Sequence, residues 1–386
     1  MGITRISILC HDVSDNALGR AYILARVLQR RYRVTIIGPK FYRDRIWPPC
    51  DTGEVAIESI RGTRHPGWLV HGRRLFDLVR GSDVVYAVKA RPTSFGVGLW
   101  AQKHLGCPLV LDIDDWEVGG YLDYPTWRRW LLAANLSNPN GYTFTRWMEH
   151  RVREADTVTT VSTFLQSRYG GILVPHGRDR DLFDPTHYDG ASVRQQHGLP
   201  LDMPLLLFLG TPRRHKGLDT LLQTLERMGS HSGPQTVHTV IAGVDWTHPQ
   251  AKTIADRASQ LPLTMLGMQP FAEVPALLAA ADMVVVPQSS RPFSQGQIPA
   301  KLIDAMAMAK PIVASAVSDI PAMLDGCGLT VPPEDPEALA NAIETLLSNR
   351  ALGEALGVRA RQRFLERYTW DAMAEMLLPL IDQVLR

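Results

Sequence analysis

Short apolar runs alternate with amphipathic helical stretches from the start of this chain, pause at a segment rich in Pro, Asp, Gly and His, and then resume the same alternation. Strands separated by helix-length segments enter a sheet through crossovers rather than hairpins, so they lie parallel, with helices covering both faces. The first series predicts strands at 6–10, 34–37, 83–87, 109–112, 157–161 and 172–174. Helices are predicted there at 19–31 and 94–105, with a longer polar and aromatic helical region at 126–154. The second series predicts strands at 205–209, 238–242, 263–266 and 283–286, and helices from 218, at 273–281 and from 299, before two or three closing helices between 334 and 386. Residues 175–204 have little periodicity and link the two series. The predicted fold class is α/β: two facing doubly wound Rossmann-like domains with an interdomain cleft and C-terminal helices. The expected division is an N-terminal domain 1–180, a C-terminal domain 181–368, and a last helix, 369–386, packing back on the N-terminal domain.

A length of 386 residues suits two cores. With 45% hydrophobic and 21% charged residues the chain is neither disordered nor fibrous. Charged residues or glycine interrupt every candidate for the roughly 20 apolar residues a membrane span requires. The first residues read as a buried strand rather than a leader, which points to a cytoplasmic protein. Cys10, Cys50, Cys107 and Cys327 lack the spacing of a disulfide framework or zinc site. Residues 1–190 carry 25 Lys and Arg against 20 Asp and Glu, and the remainder 16 against 19. The basic half suits an anionic acceptor or acidic lipid headgroups at the inner membrane face, or is solvated; nothing suggests nucleic acid.

Open α/β sheets bind ligands beyond the carboxyl ends of their strands. In the second series, the run 205–209 leads through Gly210 into Thr211-Pro212-Arg213-Arg214-His215-Lys216-Gly217 and a helix. Cations at a helix start form an anion site fit for a diphosphate, or else a solvated basic turn. Further on, Gln295-Gly296-Gln297-Ile298-Pro299-Ala300-Lys301-Leu302-Ile303-Asp304 places Pro299 at a first helical position and Lys301 and Asp304 on one face. The lysine suits phosphate and the carboxylate ribose hydroxyls; the alternative is a surface ion pair three residues apart.

With Ala155-Asp156-Thr157-Val158-Thr159-Thr160-Val161-Ser162, Val174-Pro175-His176-Gly177-Arg178 and Lys310-Pro311-Ile312-Val313-Ala314, these segments resemble, in order and separation, the retaining GT-B glycosyltransferases of family 4 over nearly the whole chain. The resemblance implies transfer of a hexose from a nucleotide-diphosphate sugar to a saccharide, lipid-linked or small-molecule acceptor, with no metal or other cofactor. It implies that Lys216 and a neighbouring arginine neutralise the diphosphate and that Asp304 holds the ribose. Gln269, within 267–270, would border the base, and Gly19 would let donor and acceptor approach the backbone. The departing diphosphate can itself activate the acceptor hydroxyl, so positioning and charge stabilisation carry the catalysis.

The chain departs from that pattern at several positions. The first glutamate of the family's pair falls at Gly296, and the second is the shorter Asp304. Sugar-hydroxyl recognition then passes to Gln295 or Gln297, next to Ile298 on the donor side. The family's arginine after the glycine is Thr211, leaving Arg213 as the catalytic choice and Arg214 as donor-binding. The family's first-domain histidine falls within Asp112-Ile113-Asp114-Asp115-Trp116-Glu117, where Asp114 is the candidate catalytic carboxylate.

Two other readings remain: a non-catalytic nucleotide-sugar-binding protein, and a metal-dependent transferase using Asp112 and Asp114 as a D-x-D pair. A nicotinamide dehydrogenase is disfavoured because His11-Asp12-Val13-Ser14-Asp15-Asn16, not GxGxxG, follows the first strand. His11, His176 and His215 match no metal-ligand spacing. The segment Trp127-Arg128-Arg129-Trp130-Leu131-Leu132, with Arg146-Trp147, either seats a basic aromatic face on a membrane or packs its tryptophans into the first domain.

Overall fold

The computed structural model describes residues 3–211, 213–230, 237–246 and 249–386. They form two compact units. The first comprises the chain up to His176, the short stretch Gln295–Gln297 and Trp370–Arg386; the second comprises Gly177–Ser294 and Ile298–Thr369.

In the first unit, seven strands form one parallel sheet: β1 (Arg5–Cys10), β2 (Arg33–Lys40), β3 (Ala56–Arg61), β4 (Val84–Val88), β5 (Leu109–Ile113), β6 (Thr157–Thr160) and β7 (Ile172–Leu173). Their order is β3-β2-β1-β4-β5-β6-β7. Ile8 stands beside Ile36 on one side and Tyr86 on the other, so the central strands are buried on both faces and need apolar residues at every position. In the edge strand β3 only Ile57 and Ile60 are half-buried, the other residues are exposed, and there is no apolar run, which is why the sequence does not reveal it. The helix Trp370–Val384 lays Met373, Leu377, Leu380 and Ile381 into this core beside Leu24 and Leu28. Each such side chain contributes roughly 1.5–3 kcal/mol by leaving water. Arg30 and Arg31 pair with Asp371 and Asp382 at 2.8 and 2.6 Å.

The second unit repeats the plan with β8 (Leu205–Leu209), β9 (His238–Val244), β10 (Leu263–Gly267), β11 (Met283–Val286), β12 (Ile312–Ser315) and β13 (Leu329–Val331), in the order β10-β9-β8-β11-β12-β13, all parallel. The helix Leu218–Ser230 packs Leu218, Leu221, Leu222 and Leu225 against this sheet, the apolar stripe its spacing predicts. Gly217 is required at the entry to that helix: its φ is +67°, and a Cβ there would lie 1.5 Å from the carbonyl oxygen of Pro287. In both sheets the chain reverses direction of winding beside the first strand, between β1 and β4 and between β8 and β11, which opens a crevice at the carboxyl edge of each.

Candidate active site

In the second unit, the carboxyl end of β8 passes through Gly210 into a single turn, Arg214–Lys216, that precedes the helix Leu218–Ser230. The Nζ of Lys216 sits 3.0 Å from where a side chain on Gly210 would begin. Pro212 and the side chain of Arg214 lie outside the described residues. Arg213 is exposed. The helix Ala300–Ala307 starts one residue later than the sequence suggests, with Pro299 at its N-cap rather than its first turn. Ile298, just before it, is buried.

Lys301 is only 9% exposed; its Nζ lies 3.9 Å from the ring centroid of Phe208 and has no hydrogen-bond partner. Burial, and then the charge of Lys216, hold its ammonium well below the usual lysine range. Burial likewise pushes the His215 imidazole down to about 3, helped by Lys216, Arg213 and Lys301. A buried cationic centre with an unsatisfied donor is costly in isolation and is relieved by an anion. In the turn itself, His215 and Lys216 are half-buried and Arg213 is exposed.

Asp304, three residues after Lys301, is buried and accepts a 2.6 Å hydrogen bond from the Nε of Arg178, itself buried. It is therefore not the partner of Lys301, and the surface ion pair within the helix is corrected: Asp304 belongs to a long-range buried pair. Burial raises its carboxyl while Arg178 opposes that. Arg178 carries no motif signal beyond the Gly177-Arg178 junction, and its guanidinium also lies 5.4 Å from the Phe271 ring. Gln269 donates to the carbonyl of Gly267 at 3.1 Å at the end of β10.

In the first unit, the carboxyl ends of β1, β4 and β5 bring together His11, Lys89, Arg91, Asp114, Asp115 and Glu117. Lys89, with φ +68° and 6% exposed, forms ion pairs with Asp114 at 3.2 Å, Glu117 at 2.8 Å and Asp115. Arg91 pairs with Glu117 and donates to Thr145 Oγ1 at 2.8 Å. Because the Lys89 ammonium directs a hydrogen bond to Asp115, Asp114 Oδ1 is within ion-pair distance yet has no hydrogen bond. Burial pushes the Asp114 carboxyl up to about 7, Lys89 opposing and Asp115 and Asp112 adding. Glu117 is held below the usual range by Arg91 and Lys89 in spite of its burial. Burial pushes the His11 imidazole down to about 3, and its Nδ1 has no partner.

Asp112, two residues before Asp114, is fully buried in a bidentate pair with Arg20 at 2.8 and 3.0 Å and accepts from Thr159 at 2.8 Å. Its side chain is committed to holding the sheet, which removes the first carboxylate of the D-x-D pair. Gly19 lies in the first turn of the helix Leu18–Leu28, and a Cβ there would meet only the Trp47 ring at 3.5 Å. Gln297 donates to Asp115 at 3.1 Å. At Gly296 a Cβ would lie 2.6 Å from Trp116 Cβ and 2.8 Å from its backbone nitrogen. Trp116 therefore occupies the space in which a longer residue at 296 would start. The sequence marked Asp114 and Gln297; it gave no role to Lys89, Arg91, Glu117 or Arg178, whose partners are distant in sequence or carry no motif.

Two family models match this chain: the glycosyl transferase 4-like domain over residues 20–180 and the glycosyl transferases group 1 over residues 203–349. The D-inositol 3-phosphate glycosyltransferase of Xylanimonas cellulosilytica is 33% identical over 224 residues, covering 55% of this chain and 51% of that protein. The chain spans about half the length of the first such relatives it matches. Sucrose-phosphate synthase from Thermosynechococcus elongatus superposes with a TM-score of 0.76 at 20% identity, covering 99% of each chain. The HepE protein of Anabaena, crystallised with UDP and glucose, superposes at 0.75 with 18% identity, covering 99% of this chain and 100% of that one. With two parallel Rossmann-like sheets and a match to both family models in sequence order, the chain belongs to the GT-B glycosyltransferases of family 4.

Proposed function

We propose that the protein transfers a hexose, with retention, from a nucleotide-diphosphate sugar to a sugar-phosphate or related anionic acceptor, without a metal. The observation that carries this reading is the buried, unpartnered ammonium of Lys301, beside Lys216 and beyond the end of β8. A diphosphate supplies the missing anion, and charge-assisted hydrogen bonds to it are the strong kind. Lys216, Arg213 and Arg214 then carry the charge that develops as the glycosidic carbon–oxygen bond to the diphosphate breaks. The acceptor oxygen bonds to the same carbon on the same face, and its proton passes to the departing diphosphate. No side-chain nucleophile is needed. Asp304, fixed by Arg178, faces the ribose; Gln269 borders the base; Gln297 and Asp114 orient sugar hydroxyls.

The metal-free reading rests on Asp112, whose oxygens are taken by Arg20 and Thr159. Sugar-phosphate acceptors are suggested by the names of two similar proteins, the inositol-phosphate glycosyltransferase and sucrose-phosphate synthase. UDP is the first donor base to test because the Anabaena structure holds it. One observation favours a second reading, nucleotide-sugar binding without transfer: Trp116 closes the space at Gly296 where the family places a carboxylate. Calorimetry with UDP, GDP and ADP, followed by incubation of the matching nucleotide sugars with phosphorylated acceptors, separates the two. Nucleotide release coupled to a glycosylated product is expected; tight nucleotide binding with no product from any donor selects the second reading, and no binding at all sinks both.

A further inference from the structure

The helix Thr126–Ala134 in the first unit has no buried residue. Trp127, Trp130 and Leu131 share one face of it, and they are 65%, 73% and 63% exposed; Trp147, on the helix Tyr142–His150, is 53% exposed. Packing of these tryptophans into the first unit, one of the two readings open in the sequence, is thereby corrected. Several large apolar side chains presented together mark a surface that meets something other than water.

The charge around them is predominantly positive. Residues 124–154 contain five arginines and two glutamates. Both glutamates are already paired: Glu149 accepts from Arg168 at 3.0 Å, and Glu154 accepts from Arg151 at 2.7 and 2.6 Å. Among the described residues, Arg128, Arg129, Arg146 and Arg153 have no carboxylate partner. Three of these four also line a cavity of about 640 Å³ in the same unit, together with Arg168, Trp116 and Tyr142. The Nε of Arg129 is buried there with no hydrogen-bond partner. With four arginines on its wall against one glutamate, Glu149, which is paired with Arg168, the cavity calls for an anion with several oxygens.

Three occupants can be weighed on these features. A small soluble phosphate answers the arginines and leaves the indoles in water. A second copy of the chain covers the indoles, yet sets this arginine-rich face against its own like. An anionic bilayer answers both, because indoles settle at the headgroup boundary and arginines meet lipid phosphates there. We propose that the helices Thr126–Ala134 and Tyr142–His150 dock the protein on an anionic lipid bilayer, with Trp127, Trp130 and Trp147 in the headgroup boundary and the arginine-lined cavity taking a lipid headgroup phosphate. This docking stands apart from sugar transfer and is read without it.

Vesicle flotation of the full chain tests it, with phosphatidylcholine vesicles compared with an equimolar mixture of phosphatidylcholine and phosphatidylglycerol. The wild type is expected to partition at least about tenfold more strongly onto the anionic vesicles and to release as salt rises. Trp127→Ser with Trp130→Ser removes at least about tenfold of that partitioning. Arg128→Gln with Arg146→Gln removes roughly fivefold per arginine. All four positions are exposed, so the unfolding midpoint stays unchanged and serves as the folding control. Equal partitioning onto both vesicles, or full retention of binding by the tryptophan variant, overturns the proposal. So does complete displacement by glycerol 1-phosphate at equal phosphate, which makes the cavity a site for a soluble anion. A dimer in sedimentation that dissociates in the tryptophan variant assigns the face to a second copy instead.

Discussion

Replacing Lys301 with methionine separates stability from ligand binding in the second unit. The ammonium is buried, lacks any hydrogen bond, sits on the Phe208 ring and is repelled by Lys216. An unsatisfied buried donor costs roughly 1–3 kcal/mol, and a charged one more. Methionine fills a similar volume without that cost. Lys301→Met should therefore raise the unfolding temperature of the ligand-free protein, by about 2–4 °C for each kcal/mol recovered. The same change removes a charge-assisted bond to the diphosphate worth roughly 1.5–3 kcal/mol, so UDP affinity should fall about 10- to 150-fold. The sign of proton uptake follows too. Because burial holds Lys301 well below the usual lysine range and a bound diphosphate raises it again, UDP binding should take up more protons in the wild type than in the variant. Differential scanning calorimetry and titration calorimetry in buffers of different ionisation enthalpy read all three quantities. A variant that is less stable without ligand and binds UDP as tightly as the wild type refutes the assignment of this lysine to an anion site.

The Asp114 carboxyl, pushed up from 3.8 to about 7 on folding, contributes stability that is fully present below pH 3.8 and lost as pH rises through about 7; the melting temperature of the wild type relative to Asp114→Asn should fall over that window, and a constant difference counts against a buried carboxyl. Gly296→Glu should lower stability by roughly 1–3 kcal/mol without raising transfer, because the new side chain meets the backbone nitrogen of Trp116 as well as its Cβ; a thermal melt and a transfer assay check it, and an intact, more active variant contradicts the contact. Arg178→Ala strands the buried Asp304 carboxylate and should cost about 3–5 kcal/mol, whereas losing both charges in Arg178→Met with Asp304→Leu should cost less; urea unfolding gives the comparison, and equal losses refute the pairing argument.

The two sheets were legible because parallel central strands need unbroken apolar runs, as in Leu205–Leu209, and their crossover helices need amphipathic ones. Strand β3 was not, since this mostly exposed edge strand has no such run. Lys216 and Lys301 were readable as cations next to a strand end and a helix start, but periodicity cannot tell that Lys301 rests on Phe208. Asp304 was read for its charge, while its partner, Arg178, lies 126 residues away. The segment 112–117 shows the limit most clearly. Its four carboxylates look alike in sequence, yet Asp112 is locked by Arg20, Glu117 by Arg91, Asp115 by Lys89 and Gln297, and only Asp114 keeps an oxygen without a hydrogen bond. Which carboxylate is available depends on which cation each one meets, and those cations come from other strands.

Under the proposed transfer with retention, that availability makes Asp114 the residue on which two mechanisms part. In a double displacement, Asp114 would attack the sugar, and its loss should cost on the order of a millionfold in turnover, as removal of a nucleophile does. In transfer assisted by the departing diphosphate, Asp114 accepts a hydrogen bond from a sugar hydroxyl, and Asp114→Asn should cost only about 10- to 150-fold. The burial of the carboxyl is the argument for the smaller figure. A carboxyl pushed up to about 7 by burial, with Asp115 adding to the shift and Lys89 at 3.2 Å opposing it, is poorly placed to carry full negative charge into an attack. Asparagine keeps the size and one acceptor oxygen of the side chain, so the hydroxyl contact weakens rather than vanishes. Steady-state turnover of Asp114→Asn and of Asp114→Gly, the latter with and without added azide, decides between them. Loss of about a millionfold in the first, with a glycosyl azide of inverted configuration from the second, would establish a covalent intermediate at this residue and overturn diphosphate-assisted transfer.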